Sequence, residues 1–133
     1  MIKINAGIAK ELYKVEIKSP SGNIIIADEP IENGGMNKGF SPKELLAAAL
    51  AACTAVTLRM YADHKKWDLQ EVKLEIELEQ NDLKTKTIIS RKLEFIGNLT
   101  EEQRTRLLSV ANACPVHKLL TNPIEIITSE LKS

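Results

Sequence analysis

Two cysteines are the side chains of this sequence best suited to chemistry: Cys114, in "NACPVHKLL", and Cys53, in "LLAAALAACTAVTLRMYADHKK". Cys114 is followed at once by Pro115 and three residues on by His117. Proline suits the first position of a helix, which makes Cys114 the N-cap. Unpaired backbone N–H groups and the positive end of the helix dipole favour a thiolate there, and such a setting draws a cysteine pKa below its free value of ~8.5. His117, one turn later, could add a donor. The competing reading makes Cys114 a serine-like cap and His117 a solvated side chain.

Cys53 has no comparable local cause for activation. It lies on the stripe Leu46, Leu50, Cys53, Thr57, Met60, His64, whose steps of three and four mark one face of a helix. Burial there favours the neutral thiol unless the fold brings a cation to it. Arg59 cannot do so from the same helix, because six residues turn it ~120° away. Arg91 falls on an otherwise apolar strand face and is the better candidate. Either it points inward with that face or a β-bulge turns it out.

Two distant thiols in a reducing compartment are rarely a structural staple, which leaves inert core residues, a metal site or transient redox chemistry. Cys53, Cys114, His64 and His117 are zinc-ligand types, but only Cys114 and His117 are close in sequence, and no metal site is expected. A Cys-His acyl-transfer enzyme would need an imidazole within reach of a sulfur. "ENGGMNKG" has glycines without the phosphate-loop or dinucleotide pattern, so no nucleotide cofactor is expected.

The elements that must position these residues can be read from pattern. Leu12 to Ala27 reads as a hairpin broken at "SPSGN", followed by the polar loop "DEPIENGGMNKGFSP". Ser41 as a cap and Pro42 at the first position open one long helix to about Lys66. "EVKLEIELEQ" alternates strictly, and "TIISRKLEFIG" pairs back with Ile89, Leu93 and Phe95 on one face. Thr100 and Gln103 have capping-box spacing and start a second helix. A short third helix follows Cys114, and "NPIEIITSEL" reads as a last strand. The order β-β-α-β-β-α-α-β predicts one α+β domain over residues 1–133, an antiparallel sheet gathered on a long central helix.

Lysine plus arginine (18) equals aspartate plus glutamate (18), and 4% of residues are aromatic. Neither a field for nucleic acid or anionic lipid nor a base-stacking surface is indicated. No signal-like N-terminus and no run near the ~20 apolar residues of a membrane span is evident, which predicts a soluble cytoplasmic protein.

Together, "SPKELLAAALAACTAVTLRMYA" and "LTEEQRTRLLSVANACPVHKLLTNPIEI" resemble the OsmC/Ohr family, the osmotically inducible and organic-hydroperoxide-resistance proteins. The carrying motifs are the P-x-E-L-x-A-A-type helix start with a cysteine about ten residues on, and A-x-x-C-P-V at the second cysteine; the match is closest to a small OsmC-like branch. The resemblance implies an intertwined homodimer with buried central helices and a thiol peroxidase reducing organic hydroperoxides. Cys53 would be oxidised to a sulfenic acid and Cys114 would resolve it as a disulfide, reopened by an external thiol or dithiol reductant, with no bound cofactor.

The family pattern also has an arginine in the N-terminal strands and a glutamate ten residues before the first cysteine. Here the first 58 residues contain no arginine, and the tenth residue before Cys53 is Lys43. Glu44 stands one position late, which rotates it ~100° around a helix. Lys10, Lys14 and Arg91 are the candidate cations; Lys43, Glu44, Arg91 and His117 are the supporting candidates. The alternative function is a non-catalytic dimer that binds an apolar small molecule.

Overall fold

A computed structural model describes residues 1–131. The chain divides into two compact units, Met1–Ala48 and Ala49–Ser133.

In the first unit, β1 (Asn5–Ile8), β2 (Val15–Lys18) and β3 (Ile24–Ala27) form an antiparallel sheet in that order. The expected hairpin is β2–β3, turned at Gly22, whose φ of 92° favours a residue without Cβ. β1 was not foreseen, because "NAGI" carries no alternation and all four residues are exposed; its backbone pairing with β2 makes it a strand. The loop after β3 is organised by Asp28, only 2% exposed. Its carboxylate accepts backbone N–H groups from Tyr13, Glu29, Met36 and Lys38 at 2.7–3.4 Å. Gly35 is needed there, since a Cβ would run into the Glu29 carbonyl and approach Asp28 Oδ1 to 2.8 Å.

Helix α1 (Pro42–Lys65) begins in this unit and continues into the second. Ser41 and Glu44 close a reciprocal capping box: Glu44 N–H donates to Ser41 Oγ (3.3 Å) and Ser41 N–H to Glu44 Oε1 (2.8 Å). The helix stops at Lys66, which is left-handed (φ 60°), with Trp67 N–H bonded to the Ala62 carbonyl at 2.9 Å. That is a Schellman closure with lysine in the glycine position.

In the second unit, β4 (Asp68–Gln80) and β5 (Thr87–Asn98) form a long antiparallel ribbon. Its register pairs Val72 with Phe95, Leu74 with Leu93, Ile76 with Arg91 and Leu78 with Ile89. The one irregularity falls between Leu69 and Glu71, so no bulge turns Arg91 outward. Helix α2 (Glu101–Val110) starts with the Thr100–Gln103 capping box, and a 3-10 turn (Ala111–Ala113) leads to α3 (Pro115–Thr121). Leu58 and Ala62 of α1, Leu69 of β4, and Leu107, Val110 and Ala111 of the α2 region form the core, with Leu93 and Phe95 packed on it. Full burial of a side chain such as Leu58 or Leu107 contributes ~1.5–3 kcal/mol.

Two expectations need correction. "NPIEIITSEL" is not a strand, for residues 122–131 have no regular structure. The alternation is present, but a strand needs a paired edge, Pro123 lacks an N–H, and Ile124, Ile126 and Ile127 are exposed. Secondly, α1 is long and apolar enough, by length and composition, to cross a membrane: an 18-residue window has mean hydropathy 1.6, and 22% of it is buried within the chain. Reading for unbroken apolar runs overlooked it, because threonines and a cysteine interrupt the alanines. The alanine-rich core helix of a water-soluble protein passes the same test.

Candidate active site

The site lies within the second unit, where α1 supplies Cys53 and Thr54, β5 supplies Arg91, and the α2–α3 junction supplies Asn112, Cys114 and His117. Helix packing brings the two cysteines close enough, as free thiols, for each to influence the ionisation of the other. They differ in environment. Cys114 is fully buried, whereas Cys53 is partly exposed.

Burial pushes the Cys53 thiol above its ordinary 9.0, and donation of its S–H to Cys114 and the charge on that sulfur raise it further. The Val116 N–H, 3.4 Å from Cys53 Sγ, and the Thr57 hydroxyl oppose the rise without cancelling it. Burial also pushes Cys114 up, but the Cys53 S–H, the His117 N–H, the Thr54 hydroxyl and the Val116 N–H outweigh it, and the net shift is below 9.0. Cys114 is the N-cap of α3, with Pro115 at the first position. No cap bond of ordinary geometry forms, so these N–H groups act on its sulfur at longer range.

Thr54 is fully buried and links the thiols to the cation. Its hydroxyl accepts from Arg91 Nη1 (2.9 Å) and lies 2.7 Å from the Leu50 carbonyl and 3.9 Å from Cys114 Sγ. Having one proton to give, it serves chiefly the nearer carbonyl. Arg91 Nη2 donates to Asn112 Oδ1 (3.0 Å) and meets His117 Nδ1 (3.2 Å). Because a guanidinium only donates, Nδ1 is the acceptor and the imidazole proton sits on Nε2.

Of the residues singled out from sequence, Cys53, Cys114, Arg91 and His117 come together. Arg91 lies on the inward face of β5 and reaches Thr54, next to Cys53, rather than the Cys53 sulfur. The ring of His117 turns to Arg91, and only its backbone N–H addresses Cys114. No imidazole–sulfur hydrogen bond occurs among the described residues, so the arrangement does not fit acyl transfer. Lys43 and Glu44 belong to the first turn of α1 in the other unit, and the Glu44 carboxylate is engaged by Ser41. Lys14 pairs with Glu11 at 3.9 Å. Thr54 and Asn112 were missed; each is a polar residue adjoining a cysteine motif within an alanine-rich stretch, a signal that could have found them.

No curated protein matches the sequence. Solved structures with the same fold include an OsmC-like protein from Mycoplasma pneumoniae, 21% identical, with a TM-score of 0.77 over 90% of this chain and 86% of that one. The organic hydroperoxide resistance protein OsmC of Legionella pneumophila is 21% identical, with a TM-score of 0.66 over 91% and 89% of the two chains. OhrB of Bacillus subtilis, an organic hydroperoxide resistance protein, is 22% identical, with a TM-score of 0.62 over 91% and 90%. At these identities the likeness is one of fold. The family model of OsmC-like proteins matches residues 35–129, most of the chain and the whole cysteine site, and the chain therefore belongs to the OsmC-like protein family.

Proposed function

We propose that this protein is a thiol-dependent peroxidase that reduces organic hydroperoxides through Cys53 and Cys114 and works as a homodimer. The observation that carries the reading is the pair of free, mutually interacting thiols, of which solvent reaches only Cys53. Two relatives of the same fold are named for organic hydroperoxide resistance.

The proximity of the two sulfurs gives the proton a route. The Cys53 proton passes to the Cys114 thiolate, leaving Cys53 as the nucleophile. Its sulfur attacks the peroxide O–O bond; the S–O bond forms as the O–O bond breaks, sulfur is oxidised to sulfenic acid, and the peroxide is reduced to alkoxide. Cys114 returns the proton to the alkoxide, releasing the alcohol, and is again a thiolate. It then attacks Cys53 sulfur and expels hydroxide, which takes a solvent proton to become water. An external dithiol reduces the resulting disulfide and restores both thiols. Cys114 thus acts as proton carrier and then as resolving thiol, and a thiol held below the ordinary pKa suits both tasks.

The test is consumption of an alkyl hydroperoxide with dithiothreitol as reductant, combined with dimedone labelling. Cys53→Ser should abolish turnover, while Cys114→Ser should retain one reaction and accumulate a labelled sulfenic acid on Cys53. Full activity in Cys53→Ser, or labelling confined to Cys114, would overturn the assignment.

A second reading, a non-catalytic dimer binding an apolar small molecule, is favoured by one feature: no cation bonds to the Cys53 sulfur among the described residues, and its thiol form is stabilised. A parent protein inert to alkyl hydroperoxide would support it.

A further inference from the structure

The second unit holds a cavity of about 460 Å³ that neither cysteine lines. Its lining includes the aliphatic Leu50, Ile89, Leu93, Leu108 and Leu120, and Arg91, Asn112 and His117 meet at its polar part. The volume falls in the range of small-molecule sites, ~300–1,000 Å³.

The charge in it is unbalanced. Arg91 touches only neutral partners, Thr54, Asn112 and His117, and forms no ion pair among the described residues. These bonds use one Nη1–H and both Nη2–H groups, and the guanidinium has five donors. Nε–H and the other Nη1–H therefore have no partner among the described residues. A half-buried cation of this kind favours an anion that supplies both charge and acceptors. A single positive charge balances a monoanion, whereas a phosphate monoester would leave a negative charge unmet.

We propose that this cavity binds a straight-chain aliphatic carboxylate, its head group on Arg91 beside Asn112 and its chain along the aliphatic side chains. The site is separate from the sulfur pair but shares Arg91 with it through Thr54, so an occupant competes for the cation that holds Thr54 and His117. The proposal does not depend on peroxide chemistry, and its test uses no peroxide.

Isothermal titration calorimetry of the full chain compares octanoate with octanamide, which has the same chain and no charge, and with acetate, which has the charge and no chain. Octanoate should bind about tenfold or more tightly than octanamide, a ratio in keeping with a charge-assisted hydrogen bond. Acetate should give no measurable heat. In Arg91→Met the preference for the carboxylate should vanish. If that variant does not fold, the comparison on the parent decides alone, and the His117 and Asn112 side-chain resonances should shift as octanoate is added. Equal affinity for octanoate and octanamide, no binding of either, or binding that leaves those resonances unmoved would overturn the proposal. A carboxylate side chain from a second copy seated on Arg91 would give the no-binding result.

Discussion

Cys53 and Cys114 compete for one proton, and the local donors decide which sulfur keeps the charge. Cys53 has burial, its donated S–H and the neighbouring charge against ionisation; Cys114 has donors enough to overcome burial. A titration followed by ultraviolet thiolate absorbance should therefore resolve one ionisation below 9.0 and one above it. The variants sharpen this. Cys114→Ser removes the thiolate that accepts from Cys53 and its charge, so the Cys53 pKa should fall relative to the parent. Cys53→Ala removes the S–H that favours the Cys114 thiolate, so the remaining Cys114 ionisation should rise. Two overlapping ionisations near 9.0, unchanged in either variant, would contradict the assignment. Arg91 acts one residue removed: it fixes the Thr54 hydroxyl rather than touching a sulfur. Residue type alone suggested a direct role, because a cation on an apolar face is noticed before the buried threonine it bonds.

At the scale of elements, the loop between β3 and α1 is held by one carboxylate. Burial alone would push Asp28 above its ordinary 3.8, but the N–H groups of Lys38, Glu29, Tyr13 and Met36 outweigh it and the shift is downward. A depressed carboxyl pKa means the folded state binds this proton less readily than the unfolded chain. The stabilisation is thus present above 3.8 and is lost as pH falls through the lower folded value. Asp28→Asn should be less stable than the parent at neutral pH, with the gap closing below 3.8; denaturation midpoints measured against pH check this. A gap that widens with acid would rule out the charge as the cause. This loop was visible in the sequence as polar and glycine-rich, but its organiser was not, since four N–H groups converge on Asp28 only after folding. Caps were legible because they are local: Ser41 with Glu44 and Thr100 with Gln103 close within a single turn. Arg91's inward face was readable from the period of two, whereas choosing between inward and bulged needed the register opposite Ile76. Pattern misled at the C-terminus, where alternation exists but pairs with no strand among the described residues, and failed at β1, where an edge recruits residues without a pattern.

The whole molecule leaves much apolar surface uncovered by its own chain. Met60 of α1 is 67% exposed, and Ile126 and Ile127 in the C-terminal segment are 83% and 82% exposed. Val56 lies four residues before Met60, hence on the same face of α1, and is exposed as well. Such a face on a helix of this hydropathy needs an apolar cover, and large exposed patches commonly mark association surfaces. Among the possible covers, a second copy also accounts for the C-terminal segment, whose alternating Ile124 and Ile126 pair with no strand among the described residues. Light scattering coupled to size-exclusion chromatography should therefore give twice the chain mass. Met60→Glu places a carboxylate within the covered face, where an unpaired buried charge costs several kcal/mol, and should shift the population to monomer at micromolar concentration. The substitution is on a surface that the single chain leaves open, so secondary structure by circular dichroism should persist in the monomer. A parent that elutes as a monomer would leave the cover of α1 to another molecule. A dimer unaffected by Met60→Glu would move the interface off this face of the helix.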